Sequence, residues 1–123
     1  MKIEYITING MKILEVTSEE IVIKNLQDAL DLLADGFNNG SRRIILKERN
    51  LTAEFFDLKT GIAGEILQKF ATYNMLLAIV GDFSKYTGKS LRDLIYESNK
   101  GGRIIFISSA EEAKEKLTRG GTE

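Results

Sequence analysis

The sequence predicts an α/β fold: a mixed, mostly parallel five-stranded sheet with an N-terminal β-hairpin and about four helices. Three observations carry that reading. Asn9-Gly10 stands between two alternating segments, a tight-turn signal for a two-residue hairpin. Ile44-Ile45-Leu46, Met75 to Val80 (MLLAIV) and Ile104 to Ile107 (IIFI) are short apolar runs, as strands buried on both faces require. Between those runs lie amphipathic stretches with helical spacing, and parallel strands need such crossovers.

The elements follow in chain order. Ile3, Tyr5 and Ile8 open the first strand, and Met11 to Val16 returns antiparallel to it. Residues 17–24 are a connection in which Ile21-Val22-Ile23 is extended. Asn25 is placed to cap a helix, with Asp28 three residues on and Leu26, Ala29, Leu30 and Leu33 along one face. Gly36 and the cluster Asn38-Asn39-Gly40 are read as its stop.

After the strand at 44–48, Thr52 is placed to cap a short turn at Ala53–Phe56. A second helix then carries Ile62, Ile66, Leu67 and Phe70, with Gly61 and Gly64 near its start. Ser90 is read as the cap of the third helix, with Asp93 as its capping-box partner and Leu91, Leu94 and Ile95 as its apolar set. Gly101-Gly102 ends it. Ser109 with Glu112 forms a further capping box for a last helix, Ala110 to Leu117. Residues 1–118 therefore read as one domain, and 119–123 as a flexible C-terminal tail.

Composition narrows the chemistry. In 123 residues, 43% are hydrophobic and 28% charged, which suits one folded domain with one core. The net charge of −1, from 17 basic and 18 acidic side chains, provides no global field for nucleic acid or anionic lipid. The absence of Cys and His removes disulfides, thiolate nucleophiles, imidazole bases and the usual zinc sets. No catalytic residue, metal ligand or cofactor is assigned. The alternating N-terminus is unlike a signal peptide, and no apolar run approaches the roughly 20 residues of a membrane span. A cytoplasmic protein with no nucleic-acid or membrane partner is the expectation.

The order of elements resembles the STAS domain of bacterial anti-sigma-factor antagonists. The local likeness is FFDLKTGIAGEILQKF at 55–70, followed by LLAIVG at 76–81. In that family a hydroxyl residue just before a glycine, at the turn into the second helix, is phosphorylated by a partner kinase. Thr60-Gly61, with Asp57 ahead of it, matches that place. The turn Asp57-Leu58-Lys59-Thr60-Gly61 is one residue longer than the family's, and Lys59 replaces a hydroxyl residue. Over nearly all of residues 1–117 the chain also resembles a bacterial domain-of-unknown-function family, number 4180. QDALDLLA (27–34), AIVGDFSKYTGKSLRDLIYESNKG (78–101) and SSAEEA (108–113) carry that likeness, which brings no established activity.

Two loops hold the candidate sites. In the first, at 52–64, Thr60 is the candidate phosphoacceptor, because free N–H groups and the dipole of a helix start stabilise an added dianion. The structural alternative makes Asp57 or Thr60 a cap, and Gly61 and Gly64 a means of close packing on the sheet. The second loop, GDFSKYTGKS at 81–90, ends like a P-loop. Six residues separate Gly81 from Gly88, however, where a P-loop has four, and Phe83 stands where a glycine belongs.

That second loop supplies Ser84 as reserve phosphoacceptor, and Asp82, Phe83, Lys85, Tyr86, Lys89, Ser90 and Arg92 as partner- or anion-binding candidates alongside Asp57 and Gly61. A solvated basic loop before a capped helix is the alternative. Both loops should emerge beyond the carboxyl ends of parallel strands, where α/β proteins bind ligands and partners. Phe55, Phe56, Phe83 and Tyr86 are its aromatic anchors or part of the core. Glu19, Glu20, Glu48, Glu54 and Asp57 have no spacing that marks an acid–base pair and read as surface acids.

The expected function is a non-enzymatic regulatory module that binds a protein partner through loops 52–64 and 82–92. The alternative is a small-molecule or anion-binding protein, or an enzyme, using Lys85, Lys89 and Arg92. A homodimer joined through sheet edges or exposed helices is a third reading.

Overall fold

The computed structural model describes residues 2–119, so most of the tail expected at 119–123 lies outside the described residues. Strands β1 (Ile3–Ile8) and β2 (Met11–Val16) form the hairpin, and helix α1 (Leu26–Asn38) leads to β3 (Arg43–Lys47). Three short 3-10 turns, Glu48–Asn50, Ala53–Phe56 and Leu58–Thr60, then lead into α2 (Ile62–Thr72). The chain continues through β4 (Leu76–Val80), α3 (Lys89–Gly101), β5 (Ile104–Ile107) and α4 (Ala110–Leu117). The sheet order is β1-β2-β3-β4-β5, antiparallel only between β1 and β2. The expected α/β class, hairpin and helix count all hold.

The hairpin forms because Asn9 and Gly10 both adopt positive φ, 52° and 79°, as a type I′ turn requires. Alternation along the strands then sorts the core onto two faces. Leu14, Ile44, Leu46, Leu77 and Ile79 meet α1 and α2 through Leu32, Leu33, Ile66 and Phe70. On the opposite face Ile13, Ile45, Ala78 and Ile105 meet Ala113 and Leu117 of α4. Side chains this deeply buried contribute about 2 kcal/mol each to the hydrophobic term. Both faces of β3 and β4 are covered, which is why these strands read as unbroken apolar runs.

Several local expectations change. Gly36 does not stop α1 but lies inside it, where a Cβ would meet the Ser41 carbonyl at 3.0 Å and Met75 Cε at 3.3 Å. It is a close-packing glycine, and Asn39 ends the helix. Gly61 and Gly64 have open space where a Cβ would stand, so neither brings α2 close to the sheet. Gly61 is instead required by its φ of 79° at the N-cap. Ser90 does not cap α3: the cap is Gly88, two residues earlier, and the helix starts at Lys89. The expected box partner Asp93 is held by Lys89 Nζ at 2.7 Å. By contrast, Asn25 and Ser109 cap α1 and α4 as read.

Two buried polar groups fasten the connections. Asn50, fully buried, donates to the carbonyls of Ser18 (2.9 Å) and Glu20 (2.8 Å) and accepts from Lys47 N–H (2.9 Å). It ties the 18–23 segment to the end of β3, where Ile23 makes its single bridge to Leu51. Arg43 donates Nε–H to the Leu117 carbonyl at 2.7 Å, placing a cation at the C-terminal end of α4. Burial, then the neighbouring Arg42, lowers its proton affinity below the usual guanidinium value.

Candidate functional site

The loops that follow β3 and β4 leave adjacent, parallel strands at the same end of the sheet and meet there. Their contact is aromatic. Phe56, from the second 3-10 turn, stacks on Tyr86 with ring centroids 5.0 Å apart and planes at 14°. Phe83 lies 6.3 Å from Phe56 and packs edge-on against Phe106 of β5 at 5.3 Å. Phe55 is fully buried and makes an edge contact with Phe56 at 5.0 Å. Of the four aromatics, one is core and three form the half-buried seam between the loops.

Glu48 sits under that seam, at the carboxyl end of β3. Its Oε2 accepts from the Tyr86 hydroxyl at 2.5 Å and pairs with Lys85 Nζ at 2.7 Å. Only 16% of the Glu48 side chain is exposed, so these partners replace most of its water. Burial first, and the Glu48 carboxylate second, hold the Tyr86 phenol above its ordinary value. Gly81 makes the arrangement sterically feasible: a Cβ there would lie 2.7 Å from Glu48 Cβ and 2.8 Å from its Oε1. In the sequence Glu48 reads as a surface acid. Its place directly after a buried strand, at the binding end of a parallel sheet, is the signal that distinguishes it.

Thr60 is exposed, immediately before the left-handed Gly61 and the first turn of α2. Its hydroxyl lies 2.8 Å from the carbonyls of both Glu54 and Asp57, and so donates within the turn. The same oxygen accepts weakly from Ile62 N–H at 3.3 Å. Asp57 is exposed and caps the third 3-10 turn by accepting from Lys59 N–H. The hydroxyl is thus accessible while also serving the turn structurally.

In the second loop, Asp82 Oδ1 accepts from the Ser84 hydroxyl (2.6 Å) and backbone N–H (3.1 Å), which lowers its pKa below the usual carboxylate value. Ser84 is exposed, and Asp82 is its side-chain partner among the described residues. The basic residues do not converge on one point. Lys85 is bound to Glu48 and Lys89 to Asp93, and Arg92 alone of the three has no acid partner among the described residues. Arg92, Phe83, Tyr86 and Tyr96 line an open groove between the loop and α3. Ser90 is exposed at the second position of α3.

A separate apolar groove, between Leu30, Leu33, Phe37, Tyr73 and Met75, opens at the other end of the sheet, and the described residues that line it carry no carboxylate, amine or guanidinium. Among the described residues no group of three or more acids could hold a metal ion, and no helix is long and apolar enough to cross a membrane.

Five strands in this order, with one antiparallel edge and the carboxyl-end loops joined at the third and fourth strands, define a STAS-like α/β domain. The chain belongs to the family described as Domain of unknown function (DUF4180), whose model matches residues 8–117. It is similar in structure to a protein of Thermotoga maritima proposed to be an anti-sigma factor antagonist. That likeness covers 95% of each chain at a TM-score of 0.50 and 14% sequence identity, and so concerns the fold alone. No curated protein matches the chain.

Proposed function

We propose that this domain is a non-enzymatic regulatory module whose partner surface is formed jointly by loops 52–64 and 82–92. The observation that supports it is the Phe56–Tyr86 stack, which makes two polar, hydroxyl-bearing loops one continuous surface. Half-buried aromatics ringed by polar groups are what protein interfaces use as anchors. Thr60 is the phosphoacceptor, with Ser84 in reserve. Its exposure and its place at the start of α2 suit a dianion. Phosphate there changes the charge of the surface beside Phe56, and with it the affinity for the partner.

The ion pairs of Lys85 and Lys89 favour a protein partner over a small anion, because they leave Arg92 as the loop's one uncompensated cation among the described residues. The test is phosphosite mapping after incubation with host extract and ATP, alongside capture of binding proteins by wild type and Thr60→Glu. One added phosphate at Thr60, and a partner lost or gained in Thr60→Glu, is the expected result. No phosphate on either loop and identical capture overturns it.

A further inference from the structure

The two edges of the sheet are finished differently. At β5, the outward-facing N–H and C=O of Phe106 are both taken by one side chain: Asn99 of α3 accepts from Phe106 N–H at 2.7 Å and donates to its carbonyl at 3.2 Å. A carboxamide here occupies the positions a sixth strand would need. At β1 nothing comparable is present among the described residues.

The hairpin register settles which β1 groups are free. Ile8 faces Met11 across the two-residue turn, and Thr17 N–H donates to the Lys2 carbonyl at 2.9 Å. Antiparallel pairs alternate, so Lys2, Glu4, Ile6 and Ile8 bond inward to β2. Ile3, Tyr5 and Thr7 then present their N–H and C=O groups away from the sheet. The strand that carries them, Ile-Glu-Tyr-Ile-Thr-Ile, is rich in β-branched and aromatic residues, with one charge and no proline or glycine. Natural sheets guard an exposed edge with proline, a bulge, charged side chains or a covering element. The β5 edge is covered by Asn99, whereas among the described residues of β1 the one charge of the strand, Glu4, is the only such device.

We propose that β1 is a dimerisation edge, occupied by β1 of a second copy running antiparallel across a two-fold axis at Tyr5. The strand is complementary to itself in that register. Ile3 lies opposite the partner's Thr7, and Tyr5 opposite the partner's Tyr5, so every outward donor and acceptor of the three residues is met reciprocally. Glu4 falls opposite the partner's Ile6 and Lys2 opposite the partner's Ile8, so no like charges face each other directly. The result is a continuous ten-stranded sheet, with the 52–64 and 82–92 loops on strands away from the junction. The dimer does not depend on what those loops bind.

Sedimentation equilibrium over about a hundredfold range of concentration reads the assembly state directly. Wild type is expected at twice the chain mass at the upper end. Tyr5→Lys, which sets two ammonium groups opposite each other at the axis, is expected to remain at the mass of one chain with an unchanged circular dichroism spectrum. Amide exchange of wild type is a second readout that needs no variant. Exchange at Ile3, Tyr5 and Thr7 should slow about tenfold from dilute to concentrated protein, while Glu4, Ile6 and Ile8 stay protected throughout. A wild type at single-chain mass across the range overturns the proposal. So does a Tyr5→Lys variant that dimerises like wild type, or exchange at Ile3, Tyr5 and Thr7 that ignores concentration.

Discussion

The Tyr86 hydroxyl donates to the Glu48 carboxylate at 2.5 Å, joining residues 38 positions apart at the carboxyl ends of β3 and β4. This bond and the Lys85 ion pair hold the second loop down on the first, so the shape of the composite surface depends on one half-buried acid.

Tyr86→Phe keeps the stack on Phe56 and removes only the hydroxyl. A loss of about 1 to 2 kcal/mol in unfolding free energy is expected near neutral pH, because the acceptor is charged. The pH dependence has a definite sign. The folded phenol lies above its ordinary value of 10.0. Its contribution is therefore complete below that value and is lost as pH rises through the folded one. Denaturant titrations should show a constant gap between wild type and Tyr86→Phe from pH 7 to about 9, narrowing at higher pH. A gap that widens there would contradict the assignment.

Gly81→Ala should destabilise the domain by about 1 to 3 kcal/mol, since the new methyl group overlaps the Glu48 side chain and must displace it. Gly64→Ala is the counterpart. Its methyl meets nothing within 4 Å inside α2, so a gain of up to about 1 kcal/mol is expected. Thermal melts of the two variants should move in opposite directions.

Asn50→Leu removes three hydrogen bonds from a fully buried position and leaves the Ser18 carbonyl and Lys47 N–H without their partner. A loss of about 3 kcal/mol is expected, read by chemical denaturation. Faster amide exchange should be confined to the 18–23 segment and the turn at Glu48–Asn50 before the rest of the sheet responds.

Thr60→Val preserves side-chain volume and branching but cannot donate to Glu54 or Asp57. It should cost about 1 kcal/mol, and Thr60→Ser less than half of that. Comparable loss in both variants would mean that the methyl group, not the hydroxyl, supports the turn.

Much of the architecture was legible residue by residue. Ile104–Ile107 and Ala110–Leu117 fall where their patterns place them, because a strand bounded by turn signals and a helix opened by a serine cap are local events. The start of α3 departs from its sequence pattern for the converse reason. Ser90 and Asp93 have capping-box spacing, but Lys89 already joins the helix and takes the Asp93 carboxylate, a choice that spacing does not encode. Gly36 looked like a terminator because its role depends on Ser41 and Met75, which only the folded chain brings beside it.

The candidate site divides in the same way. The sequence alone determined that two polar, hydroxyl-bearing loops follow the central strands, since parallel connections oblige both to emerge at the carboxyl end of the sheet. It also determined the absence of thiol and imidazole chemistry, which composition decides without any fold. Only the tertiary structure decided that Phe56 and Tyr86 stack, that Glu48 is an anchor rather than a surface acid, and that the loop's lysines are already paired. Those facts are distances between residues remote in sequence. Periodicity constrains which face of an element is buried, but the contact made across that face is set by how the elements pack together.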